Sequence, residues 1–445
     1  MKNAADYISE FKKSVSLKMF IIGLLVLILL IPAGMIRNLI RERESLMHQV
    51  TEEVTSKWGN EQTLAGPFMV IPYNTTIEDD DEIIKVTNYL HVLPERLLIN
   101  GEMRPEERYR GIYKVVVYNS SLQFSGSFVL PNFTEYNINE NDIIWDEVIV
   151  NMGIPDMRGI NHQIAFHLDE MEFTAQPGIK HSNLIQSSIS FTVGAISAQK
   201  LNFEFNIDLN GGKSLYFYPL GKTTQATLSS SWETPSFAGA FLPDDRNVNN
   251  TGFKADWKIL QLNRNYPQVW KNSEYKFNDS EFGVELLVPV NHYQKTMRSV
   301  KYAVMFIILT FLTFFFIELL KKKPVHPVQY LLVGISLIVF YSLLLSLTEH
   351  ISFLWSYIIA ASTIFILITF YAYSILKNIK TTAILSSILI IIYIFLYTLL
   401  QLMDYALLMG NIGLVIILAL IMYFSRKINW YKEELPDAPT SLRQV

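Results

Sequence analysis

Six stretches of the chain are long and apolar enough to cross a lipid bilayer as helices. A membrane-spanning helix needs about 20 predominantly apolar residues, because hydrocarbon offers no hydrogen-bond partner for backbone N–H and C=O groups. The stretches are approximately Leu17 to Ile36, Tyr302 to Leu320, Val328 to Leu347, Phe353 to Leu376, Ala383 to Leu402 and Ala406 to Phe424. The pattern therefore predicts one N-terminal transmembrane helix and a C-terminal bundle of five more.

The long segment between the first two spans has a different pattern. Arg41 to Trp58 lacks Pro and Gly and is rich in good helix formers, which predicts a helical stalk. After Gly59, about ten short runs rich in β-branched and aromatic residues are separated by Gly, Pro and Asn, which is typical of strands. Asn210-Gly211-Gly212 predicts a hairpin turn, since these residues tolerate a positive φ. The predicted fold class is an α+β membrane protein with a large antiparallel β-rich domain, arranged as a sandwich or as two smaller β modules.

Lysines and arginines near the span ends predict the orientation in the membrane. Positively charged short loops stay in the cytoplasm. Basic residues precede the first span, join spans two and three, join spans four and five, and follow span six, whereas the two other short turns, 348–352 and 403–405, carry none. The predicted segments are a cytoplasmic N-terminus (1–16), transmembrane helix one (17–36), an extracytoplasmic β-rich domain with its stalk (37–301), a five-helix transmembrane bundle (302–424) and a cytoplasmic tail (425–445).

Composition narrows the classes of function. The 445 residues include no cysteine, which excludes disulfides, thiolate catalysis and cysteine-ligated metal centres. Residues 37–301 carry 24 Lys and Arg against 33 Asp and Glu, so this segment has a net charge of −9 while the rest of the chain is at +5. An acidic middle segment argues against nucleic-acid binding, and basic flanks suit the cytoplasmic face of a membrane.

No motif of a common enzyme class is present. The sequence has no Walker A loop, no Gly-x-Gly-x-x-Gly after a strand, no Gly-x-Ser-x-Gly and no His-Glu-x-x-His. His162 and His167 lie on opposite faces of a predicted strand, which favours solvated histidines over a metal pair. We therefore expect a protein that is not an enzyme and has no cofactor.

Two places stand out as candidate functional residues. Glu349 and His350 lie where span three ends, and such a pair either reaches headgroups and water or handles a proton or ligand. Trp232, Phe237 and Pro243 belong to a segment dense in aromatics, Pro and Gly, which either forms a binding surface or anchors a loop by burial.

The remaining polar residues of the bundle have simpler interpretations. Glu318 precedes Lys321, Lys322 and Lys323, which predicts that these lysines are its partners. Gly334 favours close packing of helices rather than a transport pathway. The spans carry no charge at mid-depth, which weakens the case for an ion-coupled transporter.

Several stretches, taken together, make the chain resemble the CreD family of inner-membrane proteins. The resemblance follows the family's order over nearly the whole chain. It lies in Trp58 to Gln62, Gly66-Pro67, Ile71-Pro72, Leu93 to Glu95, Gly111 to Tyr113, Asp156 to Ile160, Trp232 to Pro243, Gly252-Phe253, Trp257, Tyr293-Gln294, Lys301 to Ala303, His326 to Gly334, Phe340-Tyr341 and Glu349-His350.

The resemblance implies a bacterial inner-membrane protein associated with cell-envelope integrity and with tolerance of E-group colicins, and it supplies no catalytic residues. We therefore expect a non-enzymatic envelope protein whose β domain binds an envelope component or a protein partner. The alternative is a transporter or lipid-handling protein that uses the C-terminal bundle. The lipid bilayer is an expected partner in either case.

Overall fold

The computed structural model describes most of the chain. The described residues are 15–79, 82–178, 187–196, 198–277, 279–287, 292–321, 323–402 and 405–426. They fall into two compact units. A helical unit comprises the described residues of Met1–Leu46 and Asn291–Val445, and a β unit comprises those of Met47–Val290. The chain is thus of the α+β class, with several apolar helices and large β-sheets.

Seven α-helices occur in the described part of the chain. They are α1 (Val15–Trp58), α2 (His292–Lys301), α3 (Ala303–Lys321), α4 (Pro327–Thr348), α5 (Phe353–Leu376), α6 (Ile379–Gln401) and α7 (Ala406–Ser425). Helix α1 contains the predicted first span and continues without interruption through the predicted stalk.

Five of these helices have the length and apolar composition needed to cross a membrane, judged over the described residues. They are α1, from Leu17, and α3 to α6. The apolar part of α7, Leu408–Tyr423, is shorter. Five of the six predicted spans are thus found as candidate membrane helices, while a sixth crossing remains a prediction.

Helix α1 packs closely on α4 at a glycine. Gly334 of α4 is buried, and a Cβ at this position would overlap the Leu29 side chain of α1 and lie 3.0 Å from the ring of Phe311 in α3. Leu29 itself is 1% exposed. Small residues let helix backbones approach within a membrane, so the predicted packing role of Gly334 is confirmed.

We expect Gly334→Leu to destabilise the helical unit by about 1–3 kcal/mol, since the added side chain must displace Leu29 and Phe311. Gly23→Leu on α1 is the matched control, because a Cβ there meets nothing within 4 Å. The apparent Tm of the full-length protein in detergent measures the effect. Equal Tm values for the two variants would contradict the proposed close contact.

The β unit consists of two sheets. The nine-stranded sheet contains β1 (Gln62–Asp79), β2 (Glu82–Val92), β5 (Ile149–Gly153), β8 (Gln176–Pro177), β9 (Ser188–Thr192), β11 (Ser214–Phe217), β13 (Pro235–Gly239), β16 (Val269–Lys271) and β17 (Phe282–Leu286). The eight-stranded sheet contains β3 (Arg96–Arg110), β4 (Tyr113–Val129), β6 (Ala165–Leu168), β7 (Met171–Thr174), β10 (Lys200–Gly212), β12 (Thr223–Ser230), β14 (Asp245–Asn249) and β15 (Gly252–Leu260).

The two sheets pack face to face through aromatic side chains. Phe124 of β4 lies 6.2 Å from Phe217 of β11, measured between ring centroids, and Phe166 of β6 lies 4.7 Å from Phe191 of β9. All four rings are buried. Burying a Phe side chain contributes about 1.5–3 kcal/mol, so this layer holds the sandwich without disulfides.

The prediction of antiparallel sheets is correct for most strand pairs but not for all. Strand β12 pairs parallel to β3 over eight residues, with Thr223 opposite Arg96, and β1 pairs parallel to β11 over three. Parallel neighbours need long crossover connections, and β3 and β12 are more than 100 residues apart in the chain. No local sequence signal marks such a pairing.

The predicted hairpin at Asn210-Gly211-Gly212 is wrong. These residues end β10, and the next strand, β11, belongs to the other sheet. The glycines serve packing instead of a turn, since a Cβ at Gly211 would overlap the Tyr118 ring and one at Gly212 would press on Thr55. Lys213 takes the positive φ, at 61°, where the chain crosses between sheets.

Candidate functional site

The side chains of Glu349 and His350, predicted as a pair, have different surroundings in the structure. Glu349 follows the last turn of α4, and its side chain is only 10% exposed. Its Oε1 lies 3.6 Å from Nε of Arg43 on α1. His350 is exposed, and no hydrogen bond or ion pair joins its side chain to Glu349 in the described part of the chain. The partner of the carboxylate is therefore on another helix and not the next residue.

A second histidine, absent from the sequence prediction, lies within electrostatic range of Glu349. His292 begins α2 and is half-buried. Burial lowers the pKa of His292, and the negative charge of Glu349 acts against that effect. Ionisable side chains from two other helices therefore lie near Glu349 at the end of α4. They are Arg43 of α1 and His292 of α2. Because these residues are distant in sequence, only the fold reveals the cluster.

Glu318 has different partners from those predicted. Its Oε1 forms an ion pair with Lys18 of α1 and accepts a hydrogen bond from the Val325 N–H at 2.9 Å. Its Oε2 accepts a hydrogen bond from the Tyr330 hydroxyl of α4 at 3.0 Å. The side chain is 5% exposed. Among the described lysines after it, Lys323 donates instead to the carbonyl of Leu376. Glu318 therefore links α1, α3 and α4, and sequence proximity to lysines was misleading.

The stretch from His326 to Gly334 builds this junction. Pro327 occupies the first turn of α4, and the Nδ1 of His326 accepts a hydrogen bond from the Val328 N–H at 3.3 Å. In return, Oε1 of Gln329 accepts a hydrogen bond from the His326 N–H at 3.0 Å. This reciprocal cap fixes where α4 begins. It thereby also fixes the position of Tyr330, which directly follows Gln329.

The Trp232 to Pro243 segment closes one edge of the sandwich. Nε1 of Trp232 donates to the carbonyl of Leu287 at 3.0 Å. Phe237 lies in β13, with its ring against Phe253 and Trp257 of the other sheet at centroid distances of 5.6 and 5.9 Å.

The rest of this segment has similar structural contacts. Nε1 of Trp257 donates to the carbonyl of Phe241 at 3.3 Å, and Pro243 is half-buried two residues later. Packing accounts for the aromatic residues of the segment. A binding role for Trp232, Phe237 and Pro243 remains a prediction.

A polar face of the eight-stranded sheet was not predicted from the sequence. Residues on this face are exposed or half-buried, while their neighbours along each strand are buried in the sandwich. Its side chains come from five adjacent strands and are Arg96, Leu98, Asn100, Glu102, Ser121, Gln123, Ser125, Lys200, Asn202, Glu204, Asn206, Asp208, Thr223, Gln225, Thr227, Ser229, Lys254, Asp256 and Lys258. The alternation of Lys200 to Leu209 is the sequence signal that could have revealed it.

The chemistry of this face is that of a neutral hydrogen-bonding surface. The residues just named include four basic and four acidic side chains, and most others are amides and hydroxyls. A concavity of about 410 Å³ lies between β3, β12 and β15. At its floor, Arg96 donates to Oε1 of Gln225 at 3.4 Å and Thr227 donates to Oδ1 of Asp256 at 2.5 Å. Balanced charge disfavours a strongly anionic partner and favours a hydrated, polar one.

The chain is similar to known proteins over nearly its whole length. A family model described as inner membrane protein CreD matches residues 14–431. The chain is also 33% identical over 426 residues to inner membrane protein CreD of Escherichia coli (strain K12), and the match covers 94% of each protein.

Proposed function

Because this chain belongs to the CreD family of inner-membrane proteins, we propose that it acts as a non-enzymatic envelope-integrity protein whose β unit binds a component of the cell envelope or a protein partner. The protein is a multi-pass membrane protein of the inner membrane. The proposal further includes six membrane crossings, cytoplasmic termini and a β unit outside the cytoplasm, as the distribution of basic loops favours.

The polar face of the eight-stranded sheet is the observation that carries this proposal. A face made of amides, hydroxyls and balanced charges offers many weak hydrogen bonds and no reactive centre. In the described residues, no group of three or more His, Cys, Asp or Glu side chains could hold a metal ion. A surface of this kind is suited to recognition of a hydrated glycan or protein surface rather than to covalent chemistry.

We expect a photocrosslinking residue at Asn100 or Gln225 to capture an envelope component in living cells. Both side chains line the concavity of the polar face. Glu140 and Lys276 are exposed outside that face and serve as matched control positions. Adducts of the same species at both test positions and not at the controls would support the proposal.

A functional test uses Asn100 again, together with Thr227, which lines the same concavity. Asn100→Arg combined with Thr227→Arg should block the concavity with two long charged side chains and abolish complementation of a deletion strain, while Glu140→Arg should complement fully. Full complementation by the double variant, or turnover of a lipid or glycan by the purified protein, would contradict the proposal.

A further inference from the structure

A long apolar groove runs between α3 and α7 in the helical unit. Its volume is about 480 Å³, within the range of roughly 300–1,000 Å³ that is usual for small-molecule sites. The groove is lined by residues between Val304 and Leu309 on α3 and by residues between Gly410 and Ile421 on α7, most of them aliphatic. The inference rests on one part of the proposed function, the membrane topology, in which α7 is the sixth crossing and this open groove lies within the bilayer.

The length of the groove matches one leaflet. The α7 wall from Gly410 to Ile421 spans eleven residue steps, which corresponds to about 16 Å at roughly 1.5 Å per residue, while the α3 wall from Val304 to Leu309 covers about 8 Å. The hydrocarbon core is roughly 30 Å thick, so the groove covers about half of it. A groove of this length and composition fits one acyl chain lying parallel to the helices.

A single cation lines the groove, at the end where α3 begins. Lys301 is exposed there, beside Tyr302, and its side chain makes no ion pair or hydrogen bond with the described residues. The two other basic residues of α2 are engaged elsewhere. Nζ of Lys295 donates to Oε1 of Gln401 at 3.3 Å, and Arg298 donates to the carbonyl of Leu402 at 3.2 Å. Lys301 is therefore the cation of this helix that is available to a ligand in the groove.

A second groove provides an internal comparison. It lies between α5 and α6, has a volume of about 420 Å³ and is also mostly apolar. Tyr357, Tyr393 and Tyr397 are among its lining residues, and it has no basic residue. An acyl chain alone would suit either groove, but only the α3–α7 groove places a positive charge where a headgroup would lie.

We propose that the α3–α7 groove binds an anionic phospholipid, with one acyl chain along α7 and the phosphate against Lys301. Attraction between an anionic lipid and a Lys near the membrane surface contributes about 1 kcal/mol, which is about a fivefold change in affinity. The apolar lining supplies the rest of the binding and does not discriminate between headgroups. This site is separate from the polar face of the β unit and does not depend on the function proposed for that face.

Native mass spectrometry of the full-length protein in detergent tests the proposal. The protein is titrated with phosphatidylglycerol and with phosphatidylcholine carrying identical chains. We expect phosphatidylglycerol to bind about fivefold more tightly, Lys301→Gln to remove that preference, and Lys301→Arg to retain it. Lys295→Gln is the matched control, because that residue is bonded to Gln401, and it should leave the preference unchanged.

Gly410 provides an independent steric test. A Cβ at Gly410 meets nothing within 4 Å, so Gly410→Leu fills the groove without displacing a neighbour. We expect this variant to weaken binding of both lipids at least fivefold, and Gly410→Ala to have little effect. The proposal is overturned if the wild type binds both lipids equally, if Gly410→Leu changes neither, or if glycerol 3-phosphate alone displaces the bound phosphatidylglycerol.

Discussion

Glu318→Gln is expected to lower the stability of the helical unit by about 1.5–3 kcal/mol, the usual contribution of a hydrogen bond to a charged group. The substitution removes the negative charge of a side chain that is 5% exposed, and it leaves Lys18, which is 31% exposed, without its ion-pair partner. Water can reach the Lys18 charge that remains, so the main loss comes from the hydrogen bonds that the buried carboxylate accepts from Val325 and Tyr330. The apparent Tm of the full-length protein in detergent should fall by more than for any single exposed ion pair, whose loss costs about 0–1 kcal/mol.

A double-mutant cycle separates the energy of the Lys18–Glu318 ion pair from the other interactions of Glu318. Lys18→Met combined with Glu318→Leu removes both charges, so it should be more stable than Glu318→Leu alone. Tyr330→Phe removes only the hydroxyl that donates to Oε2, and a loss of about 1–3 kcal/mol is expected. If the double variant is as unstable as the sum of the two single variants, Lys18 and Glu318 do not interact.

The β unit is expected to lose stability in acid because of His91. This residue lies on β2, is 2% exposed and stacks on Trp270 with ring centroids 5.4 Å apart. Burial lowers the pKa of His91 to about 4 from an ordinary value of 6.5, while a hydrogen bond with the backbone of Asn272 acts in the opposite direction.

The sign of the pH effect follows from this lowered pKa. Above pH 6.5, His91 is neutral in both the folded and unfolded states, and its contribution to stability is fully present. As the pH falls from 6.5 to about 4, the unfolded state binds a proton that the folded state does not. The free energy of unfolding therefore decreases by about 3 kcal/mol over that interval, and the effect levels off below pH 4.

Denaturant unfolding of the full-length protein, followed by tryptophan fluorescence from pH 7.5 to 4, measures this dependence. His91→Phe keeps an aromatic ring against Trp270 and should reduce the loss of stability by about 3 kcal/mol at the acid end. His167→Gln is the control, since His167 is exposed on β6. Identical pH profiles for the wild type and His91→Phe would contradict the assignment.

The division of this protein into apolar helices and a β-rich segment can be predicted from the amino-acid sequence alone. Both follow from periodicity and composition, which are local properties of the chain. The sequence also predicts that α1 continues into the stalk, because good helix formers run from Arg41 to Trp58 without a break.

Which side chains contact one another depends on the tertiary fold and could not be predicted from the sequence. Glu318 lies next to lysines in sequence, yet its ion-pair partner Lys18 is 300 residues away. Glu349 meets Arg43 and not His350, and the glycines after Asn210 serve packing against Tyr118 rather than a turn. Parallel pairing of β3 with β12 and the groove beside Lys301 likewise depend on elements distant in the chain. Side-chain type and spacing define what a residue can do locally, but long-range packing selects the partner, and no local pattern encodes that choice.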